Sequence, residues 1–315
     1  MGFTAKPQVY TAAIQETVIG VGDKALTLGG SKVKPLCSFD ESWKNAPAVG
    51  VEVSDIPFDT EDLPELAAFY AGCESFGARV AKAAATEGAK FVCLHFEGAD
   101  PGAENKSVEE IVALAEEAAA ATDLPLVVTG CKNVEKDQAI FTAISAKLSG
   151  KNVLFLSARE EDYKTIGAGC AMGDGNKVGA ESAVDINLAK QLNVLMTQLG
   201  VQPASIVMNL GSAAAGYGFE YVSTTMDRVK DAALGQNDTM LQMPVMTPVA
   251  LETWAVKEAT TNNADAPEGW GGREDRAIQM EIVTASACLA SGSDAVILRH
   301  PTSVKTIAAM IAAMA

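Results

Sequence analysis

The sequence predicts an α/β fold: a (β/α)8 TIM barrel preceded by an N-terminal hairpin extension. Three observations carry this. Eight short apolar runs recur along the chain, amphipathic stretches of helical period separate them, and the length suits a barrel folded as one domain. Of 315 residues, 48% are hydrophobic and 20% charged, enough to bury a large core, and single barrels reach about 250 residues or more. Aromatic residues make up only 6%. The Ala, Gly and Val that dominate instead suit helices packed tightly on a parallel sheet.

The predicted strands are AVGVEVSD (48–55), FVCLHFEG (91–98), LPLVVTGC (124–131), NVLFLSA (152–158), NKVGAESA (176–183), SIVMNLG (205–211), TMLQMPVMT (239–247) and DAVILRHP (294–301). Each is short and mostly apolar or β-branched, as strands buried on both faces of a parallel sheet are. Between them, VEEIVALAEEAAAA (108–121) places acids at its start, where the helix dipole favours them. Three further helical stretches end at Gly150, Gly200 and Gly235, which read as C-caps. SVKTIAAMIAAM forms a last helix, with AAMIAAMA as its docked end. An open doubly wound sheet is the competing architecture.

Residues 1–47 lie outside this alternation and form an N-terminal extension, leaving 48–315 for the barrel. Within the extension, ETVIGVGDKALTLGG alternates and turns at Gly22-Asp23, the pattern of a hairpin. Its expected place is a plug at the N-terminal end of the barrel, with extension to a partner as the alternative.

A net charge of −16, from 24 basic and 40 acidic residues, argues against nucleic acid or an anionic membrane as partner. It favours solubility, or steering toward a basic protein. Six cysteines at 37, 73, 93, 131, 170 and 288 include no C-x-x-C, so the usual zinc-ribbon and iron–sulfur spacings are missing. They suit a reduced, cytoplasmic compartment. No apolar run approaches the roughly 18 residues of a membrane span, and no secretory segment follows Met1. MGFTAK lacks the sixth-position Ser/Thr of a myristoylation signal.

In a barrel, chemistry comes from strand C-termini and the loops after them. The candidates are Asp55, His95, Glu97, Asp100, Cys131, Asn133, Ser157, Ser182, Asp185, Asn209, Gln242, Thr247, Arg299 and His300. His95 and His300, with Glu97 and Asp100, are a possible metal set, though such histidines more often satisfy local hydrogen bonds. Glu97 and Glu181 are a conceivable glycosidase pair. No G-x-S-x-G elbow exists, and no predicted strand ends in a Schiff-base lysine. The mouth therefore reads as sparsely equipped.

Two mouth loops stand out. One, 248–275, carries Trp254 and Trp270 and is long enough to be functional. The other, NLGSAAAGYG (209–218), spaces Gly211 and Gly216 as a phosphate loop does. Tyr217 and Gly218 stand where that loop needs Lys and Ser/Thr. Its backbone N–H groups can still meet an anion, but its small residues chiefly let something flat and bulky approach the backbone.

The ordered strings DINLAKQLNVLMTQLG, SIVMNLGSAAAGYGFEYVSTTMDRVKDAALG, DTMLQMPVMTPVALETWAVKEA and DAVILRHPTSV resemble one family closely. LHFEGADPGAENKSVEE, PLVVTGCKNVEKD and EGWGGRED add to the match, which runs from about residue 15 to the end. The family is the small subunit of the corrinoid iron–sulfur protein, the delta subunit of the archaeal acetyl-CoA decarbonylase/synthase complex. Asn209-Leu210 departs from the acid-proline pair common there, so contacts are assigned by loop position.

The resemblance implies a barrel paired with a large subunit that carries a [4Fe–4S] cluster and a cobamide, with no cluster in this chain. The cobamide (a B12-type corrinoid) lies at the interface between the two. Cobalt there accepts a methyl group from methyltetrahydrofolate through a separate methyltransferase. The group passes to acetyl-CoA synthase/CO dehydrogenase in the reductive acetyl-CoA (Wood–Ljungdahl) pathway. The implied cofactor contacts are Ser182, Asp185, Asn209, Gly211, Ser212, Ala213, Ala214, Gly216, Tyr217, Gly218, Met243 and Thr247, with no catalytic residue and no metal ligand in this chain. The alternatives are a stand-alone pterin-dependent methyltransferase barrel, which would use Asp185 and Asn209, and an unrelated aldolase-like barrel.

Overall fold

A computed structural model describes residues 8–34 and 43–314; Cys37 and the MGFTAK start lie outside them. An antiparallel ribbon of β1 (Thr17–Ile19) and β2 (Leu26–Leu28) comes first. Eight parallel strands follow: β3 (Ala48–Ser54), β4 (Phe91–His95), β5 (Leu126–Thr129) and β6 (Leu154–Ala158), then β7 (Lys177–Glu181), β8 (Ile206–Asn209), β9 (Met246–Thr247) and β10 (Ala295–Leu298). All eight predicted runs contribute a strand.

The order β8-β7-β6-β5-β4-β3-β10-β9 places the last strand against the first, Ala295 opposite Ala48. An open doubly wound sheet is thereby excluded. Closure between β9 and β8 rests on one bridge, Met208 to Val245, with Met208 N–H donating to Pro244 O at 2.8 Å. The seam is short because the seventh predicted strand starts much later than expected. Residues 239–241 form a 3-10 turn capped by Asp238, and Pro244 has no N–H to extend the ladder.

Helices wrap the barrel: α1 (Pro64–Phe69), α2 (Phe76–Ala84), α3 (Val108–Ala121), α4 (Val134–Lys147), α5 (Tyr163–Ile166) and α6 (Ile186–Leu199). After them come α7 (Phe219–Lys230), α8 (Val249–Thr253), α9 (Lys257–Thr260), α10 (Arg273–Ser291) and α11 (Pro301–Met314). α3 starts on a capping box, Ser107 Oγ accepting from Glu110 N–H while the Glu110 carboxylate accepts from Ser107 N–H. Gly200 ends α6 at φ +114° and Gly150 follows α4 at φ +83°, both left-handed as a C-terminal glycine should be. Gly235 is not. α7 unwinds through a π-helical turn, Asp231–Gly235, and the left-handed residue there is Asn237. The last helix docks by Val304, Ile307 and Ile311.

Side chains alternate along β3. Val49, Val51 and Val53 join the core beneath the helices, while Ala48 faces the barrel interior with Phe91, Cys93, Val127, Leu154, Leu156 and Val207. Glycines make room for the large interior groups: a Cβ on Gly50 would strike the Phe91 ring, and one on Gly179 would strike Leu156. The ribbon closes the N-terminal end, since Ile19 and Leu28 are buried in that same interior cluster. Burying each contributes roughly 1.5–3 kcal/mol. Asn152 Nδ2 holds the ribbon by donating to Val18 O (2.9 Å) and Gly20 O (3.0 Å). The plug leaves one open end, the mouth at the strand C-termini.

Candidate functional site at the barrel mouth

The throat holds an ion pair that the sequence reading left out. Glu52, in the middle of VGVEVSD, faces the interior and is fully buried. Arg299 Nε and Nη2 donate to Glu52 Oε1 at 2.8 and 2.7 Å, and His95 Nδ1 lies 3.7 Å from Oε2. Burial pushes the Glu52 carboxyl up, but Arg299 and His95 outweigh it and hold it below the usual carboxylate range. Arg299 itself lies between the rings of Phe58 and Trp254, 5.1 and 5.3 Å from their centroids. The available signal was an acid inside an apolar strand, which demands a partner when buried.

On the opposite wall, Asn209 Nδ2 donates to Ser157 Oγ (2.8 Å) and its Oδ1 accepts from Gly211 N–H (3.0 Å). Arg159 Nε pairs with Glu181 at 3.5 Å, and its Nη1 donates to Lys132 O at 3.2 Å. These groups surround a hollow of about 60 Å3 lined by Thr129, Ser157, Glu181, Asn209, Gly211 and Ser212. Drug-sized ligand pockets span about 300–1,000 Å3, so this mouth admits a few waters and encloses nothing larger. Ser212 Oγ is buried at its edge without a hydrogen-bond partner among the described residues.

The residues proposed as cofactor contacts divide. Gly211 and Ser212 form the ledge beside the hollow, and half-buried Ala213 follows them with its methyl packed against the helix-side core. Gly216 stands in open space, Gly218 precedes α7 at φ +91°, and Tyr217 Oη donates to Glu258 at 2.6 Å. Ala214 is not on the ledge. It is buried with Leu63, Leu66 and Trp254 under the long loop. Neighbouring Glu181 faces the mouth, so alternation turns the buried Ser182 toward the helices. Asp185 caps α6, accepting from Asn187 N–H (2.7 Å) and Leu188 N–H (3.3 Å). Met243 and Thr247 also miss the mouth: Met243 is buried in the helix-side core, and Thr247 Oγ1 lies 2.5 Å from Ser293 Oγ, before β10 begins. Met243 misses because β9 starts late, and Thr247, at the end of β9, faces away because its neighbour Met246 faces the interior.

Other candidates serve the scaffold. Asn133 caps α4, Asp100 accepts from Gly102 N–H, and Asp55 joins Gly98 N–H to Lys106. Gln242 is at the wrong end, its carbonyl accepting from Gln15 beside the ribbon. Burial raises the Cys131 thiol to about 11, and the Cys131 N–H and Sγ donate to Asp137. His300 Nδ1 accepts from Thr302 N–H (3.1 Å), leaving the proton on Nε2 for Glu274 (3.2 Å). With His300 on the helix side and His95 in the throat, the proposed metal set is not assembled. Glu97 is hydrogen-bonded by Ser54 and Glu181 is paired with Arg159, so each proposed glycosidase acid has its own partner. The 248–275 loop is clamped, because Arg276 donates to the carbonyls of Glu258, Thr261 and Gly271.

Beside the ledge, residues 182–185 turn on Asp185 N–H donating to Ser182 O (3.0 Å), with Ala183 at φ +46° and Val184 at φ +67°. Such turns favour glycine or asparagine at both centres. Ala183 is exposed, so Ala183→Gly removes strain without losing packing. A thermal melt is expected to show a gain of roughly 0.5–1 kcal/mol; no gain would mean the turn is unstrained.

The architecture and its plugged base define a class: a single-mouthed (β/α)8 barrel. Its fold matches dihydropteroate synthases. The enzyme of Xanthomonas albilineans bound to 4-aminobenzoic acid superposes with a TM-score of 0.57 at 12% identity, covering 94% of this chain and 98% of that one. A Yersinia pestis dihydropteroate synthase in a sulfonamide complex gives 0.57 at 12% identity, covering 85% and 93%. At that identity the likeness shows the fold alone. Residues 16–309 match the family model for the CO dehydrogenase/acetyl-CoA synthase delta subunit, and the chain belongs to that family. Acetyl-CoA decarbonylase/synthase complex subunit delta of Methanocaldococcus jannaschii is 32% identical over 90% of this chain and 68% of its own length. The Methanothermobacter thermautotrophicus subunit is 32% identical over 95% and 75%.

Proposed function

We propose that this chain is the cofactor-covering subunit of a corrinoid methyl carrier, without an active site of its own. Its partner in this reading is a large subunit bearing the cobamide and a [4Fe–4S] cluster. The methyl group comes from methyltetrahydrofolate through a separate methyltransferase and goes to acetyl-CoA synthase/CO dehydrogenase. The reading places the protein in the cytoplasm, in keeping with five described cysteines that are all free.

One observation carries it: on the ledge side of the mouth the polar groups are paired with one another, Asn209 with Ser157 and Arg159 with Glu181, beside a small-residue ledge whose Ser212 hydroxyl has no partner among the described residues. A hollow of about 60 Å3 suits a rim that lies against a large ring and does not swallow a small substrate. A bound corrinoid supplies the methyl-carrying chemistry, and the protein supplies enclosure and orientation. Gly211 and Ala213 let a ring approach the backbone, Ser212 Oγ offers one hydrogen bond, and the Asn209–Ser157 bond fixes the loop.

Co-expression with the adjoining large subunit tests this. Visible corrinoid absorption is expected in the co-purified pair, and calorimetry of the isolated chain with methyltetrahydrofolate should be silent. A chain that never co-purifies with a cobamide protein, or that binds the pterin with micromolar affinity, would overturn the reading in favour of a pterin methyltransferase.

A further inference from the structure

Two buried polar atoms in the throat face each other without a hydrogen bond. Glu52 Oε2 and His95 Nδ1 lie 3.7 Å apart, and neither has a partner among the described residues. Glu52 is fully buried and His95 is 7% exposed. Polar atoms that deep are rarely left unpaired, because losing water without a replacement bond costs stability.

Glu52 is not free to close the gap. Arg299 Nε and Nη2 both donate to its other oxygen, Oε1, at 2.8 and 2.7 Å. Other polar groups at these strand ends are engaged elsewhere: Ser54 Oγ donates to Glu97, and Thr129 Oγ1 lies 3.6 Å from Cys93 Sγ. A separation of 3.7 Å is too long for a direct bond. One water set to the side, about 2.8 Å from each atom, spans it.

Charge decides where the imidazole proton sits. Burial works against the Glu52 carboxylate, but the Arg299 guanidinium beside it keeps it ionised. A carboxylate only accepts, so a ring nitrogen facing it is favoured as N–H and disfavoured as a lone pair. His300 is the opposite case: its Nδ1 accepts from Thr302 N–H at 3.1 Å, which leaves the proton on Nε2. We propose that Glu52 and His95 form a water-linked dyad, which holds the His95 proton on Nδ1 and leaves Nε2 a bare acceptor. His95 ends β4, and no described residue engages its Nε2. That nitrogen is therefore offered at the strand C-termini to an O–H or N–H donor, and not to an anion. The dyad stands whether or not a corrin lies on the ledge.

The chain has two histidines, so ring nitrogen-15 NMR at about pH 8.5, where ordinary imidazoles are neutral, reads both tautomers directly. A His95→Gln variant assigns the signals. His300 is expected as the Nε2–H tautomer and His95 as the Nδ1–H tautomer. Glu52→Gln should reverse His95 alone. Arg299 still needs Oε1, so the new amide turns its NH2 toward Nδ1 and the proton moves to Nε2. An unchanged His300 signal reports that this variant is folded, and the wild-type tautomer decides the matter if it is not. A crystal structure should show one water within about 2.7–3.2 Å of both atoms. An Nε2–H tautomer or a doubly protonated ring at His95 would overturn the dyad. So would a folded Glu52→Gln variant that keeps the Nδ1 proton, or a crystal structure with no water between the two atoms.

Discussion

Glu52→Ala is expected to destabilise the barrel by about 3–5 kcal/mol, read as a lower urea midpoint at unchanged slope. The substitution leaves the Arg299 guanidinium in the throat between two aromatic rings without its hydrogen-bonded carboxylate, with only the more distant Glu97 and Glu281 charges in its place. A double variant, Glu52→Ala with Arg299→Met, removes both charges and should recover part of the loss, because the penalty comes from the abandoned partner. The effect has a defined pH dependence. Glu52's folded-state pKa is depressed, so its contribution is complete above the usual carboxylate pKa of 4.5 and is lost as the pH falls through the lower folded value. Wild type and Glu52→Ala should therefore converge as the pH falls through that lower folded value. A constant gap between them down to pH 2 would show that the carboxylate acts through packing alone.

Ala213→Trp and Ala214→Trp are expected to part company, although the residues are neighbours on one loop. Ala213 is half-buried, packed against the edge of the helix-side core next to the ledge, so tryptophan there should lower the melting temperature less than at Ala214. It should cut cobamide retention in the assembled pair at least about tenfold, or about 1.4 kcal/mol. Ala214 is 1% exposed within the cluster of Leu63, Leu66 and Trp254. Overpacking that site costs about 1–3 kcal/mol and lowers stability first. Visible absorption per complex and a thermal melt separate the two. Equal cobamide retention in Ala213→Trp and wild type would place the corrin elsewhere.

The barrel was legible because its signals are local. Apolar runs such as FVCLHF, the acid-led helix at 108–121 and the glycine after α6 each state their structure within a few residues. The seventh strand was misjudged because TMLQMPVMT is apolar throughout, while Asp238 caps a 3-10 turn there and Pro244 stops the ladder. Met243 therefore precedes the strand and lies in the helix-side core, while Thr247 ends the strand but points to the outer face by alternation with Met246. The site was less legible than the fold. Asp185 and Asn133 sit at strand–helix junctions, where an acid or amide serves catalysis or capping equally well in sequence, and both are caps. Glu52 carried a readable anomaly, but its partner Arg299 is more than 240 residues away, a separation of 247. Ala213 and Ala214 are chemically identical, and only the packing of the long loop tells them apart.

The most direct measurement of the covering role is amide hydrogen exchange across residues 209–218 in the assembled complex, with its cobamide present and after its removal. The N–H groups of Gly211, Ser212 and Ala213 are expected to exchange at least about tenfold more slowly only while the cobamide is bound. Exchange that slows on assembly alone, and is indifferent to the cobamide, would contradict a corrin lying on this ledge.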